Sequence, residues 1–358
     1  MSAADLASPH SVLVVRLGAM GDVIHTLAAV SALRAACPEL RIGWVIEARW
    51  SELLCARGAQ RSGPRSPMRP VVDFVHQVDT KRWRKSLLSK DTRRQIASVR
   101  CEIKAQRYEL AADFQGALKS AVIARLSGAK LVAGVPHPRE VPAHFFYTKF
   151  VETTDLHVVD QYRRIAEFIA GMPLRACAPI FPRDEQAESS IAARLGPTAK
   201  NFVLINPGAG WGAKQWPAER YGEVARALSQ SGIAPVVHFG PGEEKLAQQV
   251  QQASGAVAQP ISCSISELIA LTRRAKLFIG GDTGPLHLAA ALQVPVVAIF
   301  GPTDPARNGP YGTNSIVLRN PASKTSLSHT STPDRGLLNI ISSDVISAAQ
   351  QLLAGSNG

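Results

Sequence analysis

Four polar residues in this 358-residue chain stand where apolar runs give way to glycine, and their types suit the handling of an anion and a proton. Asp22 follows the apolar run Ser11-Val12-Leu13-Val14-Val15-Arg16-Leu17 and the turn Gly18-Ala19-Met20-Gly21. A carboxylate there is placed either to take a proton from a hydroxyl or to cap a helix. The two roles conflict, because a helix N-terminus favours the ionised form and so weakens the base. Lys214 closes the loop Asn206-Pro207-Gly208-Ala209-Gly210-Trp211-Gly212-Ala213 and is a sensible cation for a diphosphate. Asp282 and His287 belong to Gly281-Asp282-Thr283-Gly284-Pro285-Leu286-His287, which reads as a strand end, a bend and a helix with proline in its first turn. Asp282 or Thr283 is the expected cap. The free N–H groups and the dipole of that helix make an anion site best suited to phosphate, and the plain alternative is an ordinary capped helix with a surface histidine.

Positive charge gathers elsewhere. Lys81-Arg82-Trp83-Arg84-Lys85, with Lys90, Arg93 and Arg94, is the densest basic cluster, and Arg139 adds a cation in the loop His137-Pro138-Arg139-Glu140. The cluster reads either as a solvated helix face or as an anion-docking patch in which Trp83 stacks or packs. Glu243 and Glu244 could accept hydrogen bonds from ribose hydroxyls or simply start a helix.

These residues must be held by the elements around them. Strands are expected at 11–17, 41–47, 110–113, 130–135, 202–205, 235–239 and 276–279, each running into a turn and then a helical pattern. The arrangement is α/β, with two doubly wound parallel-sheet halves, residues 11–182 and 183–340, joined through a proline-rich segment at 172–183 and closed by a tail helix within 341–358. A cleft between the halves is expected to hold a phosphate-bearing donor on one wall and an anionic acceptor on the other. The basic, proline-rich loop at 61–70 is expected to be mobile. Because the first turn has only Gly18 and Gly21, it is not the dinucleotide fingerprint, and the 206–214 loop lacks the terminal Gly-Lys-Ser/Thr of a P-loop.

Composition bounds the rest. Hydrophobic residues at 46% and charged residues at 19% describe a globular chain. Its five cysteines are scattered without ligand spacing, which points to a reduced compartment and no structural zinc. Residues 1–10 lack the basic start and apolar core of a signal peptide, so a cytoplasmic protein is expected. A net charge of +12 calls for an anionic partner: nucleic acid, a phosphorylated sugar-lipid or a membrane surface. Sparse aromatic interleaving of the basic clusters argues against nucleic acid.

The stretch from Arg16 to Leu27, the turn Lys214-Gln215-Trp216-Pro217, the segment from Gly281 to Ala290 and Phe300-Gly301-Pro302-Thr303-Asp304-Pro305 resemble the ADP-heptose:lipopolysaccharide heptosyltransferases. That family is glycosyltransferase family 9, of the two-Rossmann-domain GT-B type. The 81–85 cluster, residues 114–120 and Arg139-Glu140 look most like its heptosyltransferase I members, which add the first heptose to Kdo of the inner core. The resemblance implies an inverting, metal-independent transfer without cofactor, from ADP-heptose to a Kdo–lipid A acceptor, by an enzyme resting peripherally on an anionic membrane at the cytoplasmic face. It implies Asp22 as general base and Ala209, Gly210, Lys214, Glu243, Asp282, Thr283, Gly284 and His287 as donor-binding. It implies Lys81, Arg82, Arg84 and Arg139 as acceptor-binding. Where close relatives carry hydroxyl residues before the lysine, this chain has Ala209-Gly210, so contacts there are left to backbone N–H groups. A heptosyltransferase of the second or third kind, another sugar-nucleotide transferase and a non-catalytic glycan-binding module remain as alternatives.

Overall fold

Val12 to Val15 are fully buried, as are the apolar residues of the strands ending at Asn206, Gly281 and Phe300, because parallel strands covered by helices on both faces meet no water on either side. The computed structural model describes residues 9–326 and 332–355, so the reading of residues 1–10 falls almost wholly outside it. The chain divides into two compact units, one ending at Arg183 and the other beginning at Asp184.

The first unit runs β1 (Ser11–Val15), α1 (Met20–Ala36), β2 (Arg41–Glu47), β3 (Phe74–Val78), α2 (Thr80–Lys85), α3 (Lys90–Ala105), β4 (Leu110–Asp113), α4 (Leu118–Leu126), β5 (Leu131–Gly134), β6 (Lys149–Phe150) and α5 (Val158–Ala170). Its strands form one sheet in the order β3-β2-β1-β4-β5-β6, every pair parallel. One face of that sheet packs into a core that includes Leu13, Val15, Val45, Ala111, Val132 and Tyr147. The 61–70 loop departs from the free segment expected of it. Arg69 is buried within it and donates to the carbonyls of Gln60 (3.0 Å), Gly63 (2.6 Å), Pro64 (2.9 Å) and Val72 (2.7 Å), so the loop is wrapped around a guanidinium. Residues 172–183 lie along the same unit, with Ile180 donating to Ser31 Oγ and Arg183 to Pro67 O.

The second unit runs α6 (Glu185–Leu195), β7 (Phe202–Asn206), α7 (Ala218–Gln230), β8 (Ala234–Phe239), α8 (Glu244–Ala253), β9 (Gln259–Ser262), α9 (Ile265–Arg274), β10 (Leu277–Gly281), α10 (Gly284–Ala291), β11 (Val296–Phe300), α11 (Pro305–Asn308), β12 (Ser315–Arg319), α12 (Arg335–Leu338) and α13 (Ser342–Gly355). The sheet order is β12-β11-β10-β7-β8-β9, again all parallel. Counted from its own first strand, each unit has the same order, with the first and fourth strands side by side at the centre. That is the doubly wound arrangement, and its reversal of strand order opens a crevice at the carboxyl ends of those two strands. In the first unit the crevice lies between the ends of β1 and β4, and in the second between β7 and β10.

Candidate functional site

Both crevices are lined by charged side chains, and in each a cation is paired with a carboxylate. In the first unit the chain leaves β1 through Arg16, whose side chain turns inward. Its Nη1 donates to Phe114 O at 2.6 Å just past β4, its Nη2 meets Asp22 Oδ1 at 2.7 Å, and its guanidinium lies over the Tyr162 ring at 5.2 Å. Burial pulls the Arg16 pKa down, yet Tyr162, Asp22 and Asp113 together outweigh it and the net shift is upward. The cation is therefore secure. Asp22 is not the N-cap of α1, as the capping reading had it, but the third residue of the helix, reaching back so that Oδ2 accepts the Ala19 N–H at 3.2 Å. With one oxygen on Arg16 and one on the backbone, its side chain still keeps 37% exposure.

Beneath this pair, Leu17 N–H donates to Gln115 Oε1 at 2.9 Å, and Asp113 accepts from Gln115 N, Gly116 N, Ser120 Oγ and Tyr147 Oη. Burial pushes the Asp113 carboxyl up, against those four hydrogen bonds. Sequence reasoning gave no role to Arg16, Asp113 or Tyr147. The one local signal was a charged residue closing an otherwise apolar strand run.

The basic residues lie on segments leaving the same sheet edge. Lys81, Arg82 and Arg84 are exposed on α2, which begins beside Glu47, the last residue of β2, through bonds from Thr80 to both Glu47 oxygens. Lys119 reaches Thr80 Oγ1 at 3.4 Å, which ties α4 to the start of α2. Arg139 is exposed on a loop clamped to the β4–α4 turn, where Glu140 N–H donates to Gly116 O and Glu140 Oε2 accepts from Leu118 N. Gly116 holds a φ of +67° there, and a Cβ would sit 3.0 Å from Arg139 N, so the turn needs glycine. Trp83 packs rather than stacks: it is half-buried on the core of the unit and donates from Nε1 to Gln95 Oε1 at 3.1 Å.

In the second unit the loop after β7 brings Lys214 to the end of β10. Lys214 Nζ lies 2.5 Å from Asp282 Oδ2 and 4.4 Å from the Trp211 ring centre, while Asp282 Oδ1 meets His287 Nε2 at 3.1 Å. Burial would raise the Asp282 pKa, but His287 and Lys214 hold the carboxyl far below the usual range. Thr283 occupies the N-cap position of α10 without capping it. Its hydroxyl turns to Gly281 O at 3.3 Å, so no side chain covers the first N–H groups of the helix. Those groups and Lys214 are the donors an anion would meet.

Of the two neighbouring glutamates, Glu243 lies against the loop. Its Oε2 accepts the Gly240 N–H at 2.8 Å, and a Cβ on Gly208 would overlap its carboxylate. Glu244 is exposed and accepts from Gly242 N. Ala209 is half-buried and Gly210 exposed at the outer part of the loop. The loop is supported from below by a pair the sequence did not disclose: His238 Nδ1 donates to Asn206 Oδ1 at 2.8 Å, and Asn206 Nδ2 donates to Gly208 O at 3.2 Å. Burial pushes the His238 imidazole down to about 4, so it is neutral near pH 7. Among the described residues no three His, Cys, Asp or Glu side chains gather in a way that could hold a metal ion. No helix among them is long and apolar enough to cross a membrane.

Comparison with known proteins adds a family. The model of Glycosyltransferase family 9 (heptosyltransferase) matches residues 96–335. Lipopolysaccharide heptosyltransferase 1 of Escherichia coli K12 is 29% identical over 318 residues, covering 87% of this chain and 93% of its own. The solved structure of E. coli heptosyltransferase WaaC with ADP is 26% identical, covers 96% of this chain and 99% of its own, and superposes with a TM-score of 0.78. The structure of the same E. coli enzyme with ADP-2-deoxy-2-fluoro heptose gives 25% identity, coverage of 97% and 99%, and a TM-score of 0.73.

Proposed function

The chain belongs to glycosyltransferase family 9, the heptosyltransferases, and from that premise we propose that it moves heptose from ADP-heptose to Kdo of the lipopolysaccharide inner core. It is accordingly a glycosyltransferase and not the non-catalytic binding module kept as an alternative. The observation that carries the donor half of the reading is the Lys214–Asp282–His287 cluster at the open head of α10. Relatives crystallised with ADP and with a fluorinated ADP-heptose share this fold. Lys214 and the N–H groups of Thr283 and Gly284 face the diphosphate and stabilise the charge it gains as the glycosidic bond breaks. Such preorganised donors usually supply the largest share of a barrier reduction. Glu243, beside Gly208, takes the ribose hydroxyls, and Ala209 and Gly210 contribute backbone alone.

Asp22 is the base. It accepts the proton of the acceptor hydroxyl as that oxygen attacks the anomeric carbon. ADP departs with the bonding pair from the opposite face, and the configuration inverts. Arg16 holds the carboxylate in place through its 2.7 Å contact with Oδ1. With the leaving diphosphate neutralised by Lys214 and helix N–H groups, the step proceeds without a metal ion or other cofactor. Lys81, Arg82, Arg84 and Arg139 hold the carboxylates and phosphates of a Kdo–lipid A acceptor, and the enzyme works peripherally at an anionic, cytoplasmic membrane face.

The test is ADP release from ADP-heptose with Kdo-terminated lipid A, in EDTA, for wild type and Asp22→Ala. Acceptor-dependent release that survives EDTA and collapses in the variant is the expected result. Release abolished by EDTA would sink the metal-free step, and an active Asp22→Ala would sink the base. No release at all would return other acceptors and sugar nucleotides to consideration.

A further inference from the structure

The centres of tight turns favour glycine, asparagine, aspartate and serine, yet between α2 and α3 the chain puts two leucines there. Ser89 N–H donates to Ser86 O at 3.0 Å, closing a four-residue turn whose central residues, Leu87 and Leu88, are 57% and 83% exposed. The turn is braced on every side. Ser86 Oγ lies 2.9 Å from Thr92 Oγ1, Ser89 Oγ accepts the Thr92 N–H at 3.1 Å, Trp83 is bonded to Gln95, and Arg82 pairs with Asp91 at 3.1 Å. The leucines are thus presented by a cross-tied pair of helices rather than by a loose loop.

Around them the charge is one-sided. Residues 81–94 carry seven lysines and arginines and a single acid, Asp91, which is half of the net charge of +12 in fourteen residues. Arg84, Lys85, Lys90, Arg93 and Arg94 are exposed, and among the described residues none of them makes an ion pair. Bare apolar side chains flanked along the chain by exposed cations match the layering of an anionic leaflet, phosphate outside and hydrocarbon within.

We infer that Leu87 and Leu88 enter the hydrocarbon boundary of an anionic bilayer while Lys85, Lys90, Arg93 and Arg94 hold its phosphates. The inference rests for its purpose on the acceptor being lipid-linked, but its test does not need the acceptor. The full chain is sedimented with vesicles of equal parts phosphatidylcholine and phosphatidylglycerol over a range of salt. Wild type binds at low salt and keeps a salt-resistant fraction, because screening removes the charge contribution and leaves the apolar one. Leu87→Ser with Leu88→Ser lowers partitioning about tenfold or more and loses the salt-resistant fraction. Arg93→Gln with Arg94→Gln lowers low-salt binding about tenfold and leaves that fraction in place. Leu88→Trp, with a larger apolar surface, binds at least as tightly as wild type.

The inference falls if the serine variant sediments like wild type at every salt. It falls as well if wild type binds only when an acylated acceptor is added, since the turn would then read the acceptor's chains. Transfer to an acceptor without acyl chains is measured in parallel and should be unchanged by the serine variant. A loss there, with melting unaltered, would place the leucines in the active site and overturn the assignment. If wild type shows no transfer while vesicle binding follows the pattern above, the functional reading fails and the docking surface stands.

Discussion

The two crevices hold the same pair of groups, a cation and a carboxylate, with different exposure to the crevice. In the first unit the cation is hidden and the acid is offered: Arg16 and Asp22 have side-chain exposures of 5% and 37%. In the second both partners are covered, Lys214 at 12% and Asp282 at 8%, with His287 on the acid's other oxygen. A buried arginine beneath an open carboxylate suits a group that must accept a proton from outside. A buried carboxylate between two nitrogen bases suits the aiming of positive and hydrogen-bonding groups at an anion. Identical strand order thus carries one pair whose acid stands open and one pair closed on itself.

That contrast predicts different damage from removing each acid. Asp22→Ala should lower kcat by about 10²–10⁴, the usual share of a general base, while ADP affinity in calorimetry stays near wild type. Its effect on stability should be smaller than that of losing Asp282, because Asp22 is partly solvated and the buried Arg16 keeps Phe114 O and the Tyr162 ring. Asp282→Asn should do the reverse to stability. It leaves Lys214 with no carboxylate partner in a buried setting and should cost about 3 kcal/mol in urea unfolding of the full chain. Equal stability losses in the two variants would erase the distinction.

An acid scan sharpens it further. The unfolded chain protonates His238 near its ordinary 6.5, whereas burial holds the folded group down to about 4. The unfolded state therefore binds the proton first, so stability is lost as pH falls from about 6.5 to about 4, by at most ~3 kcal/mol. The contribution of Asp282, whose pKa is depressed, persists through that window and fades only below the ordinary carboxylate range. Urea midpoints followed by circular dichroism should show the slope in wild type and a flatter profile in His238→Gln. The smallest effect belongs to the exposed pair Arg82–Asp91, whose side chains are 59% and 69% exposed. Arg82→Gln should move stability by about 0.5 kcal/mol or less and be detected instead as a higher KM for the acceptor.

What could be read from the chain was what local spacing encodes. The strand Arg41–Glu47 is found at the bounds its apolar run suggests, and Ser264 and Glu267 form the capping box their spacing implies. Sheet class and the placing of candidate residues at strand ends followed from the alternation of runs and turns. The partners did not. Lys214 and Asp282 are 68 residues apart, and Arg16 reaches a carbonyl 98 residues on, so only the sheet order brings them together. The 61–70 loop misled for the opposite reason: its prolines and arginines suggest freedom, but one arginine finds four carbonyls at once. The place of Asp22 as the third residue of α1 was hidden because the helix begins at Met20, before the first periodic apolar residue.

The place of α13 in the second core bears on how the chain is made. Val345, Ala348, Ala349 and Leu352 from this last helix pack among residues of β7, β10 and β11, whereas every strand of the first sheet has been translated by Phe150. The first unit can therefore close its sheet while α13 is still to be made, a head start of roughly 10–40 s at ordinary elongation rates. The second unit completes its core only once α13 has been made. A nascent chain stalled before Ser342 would carry a finished first unit and an unfinished second one, and it is the latter that would depend on chaperones.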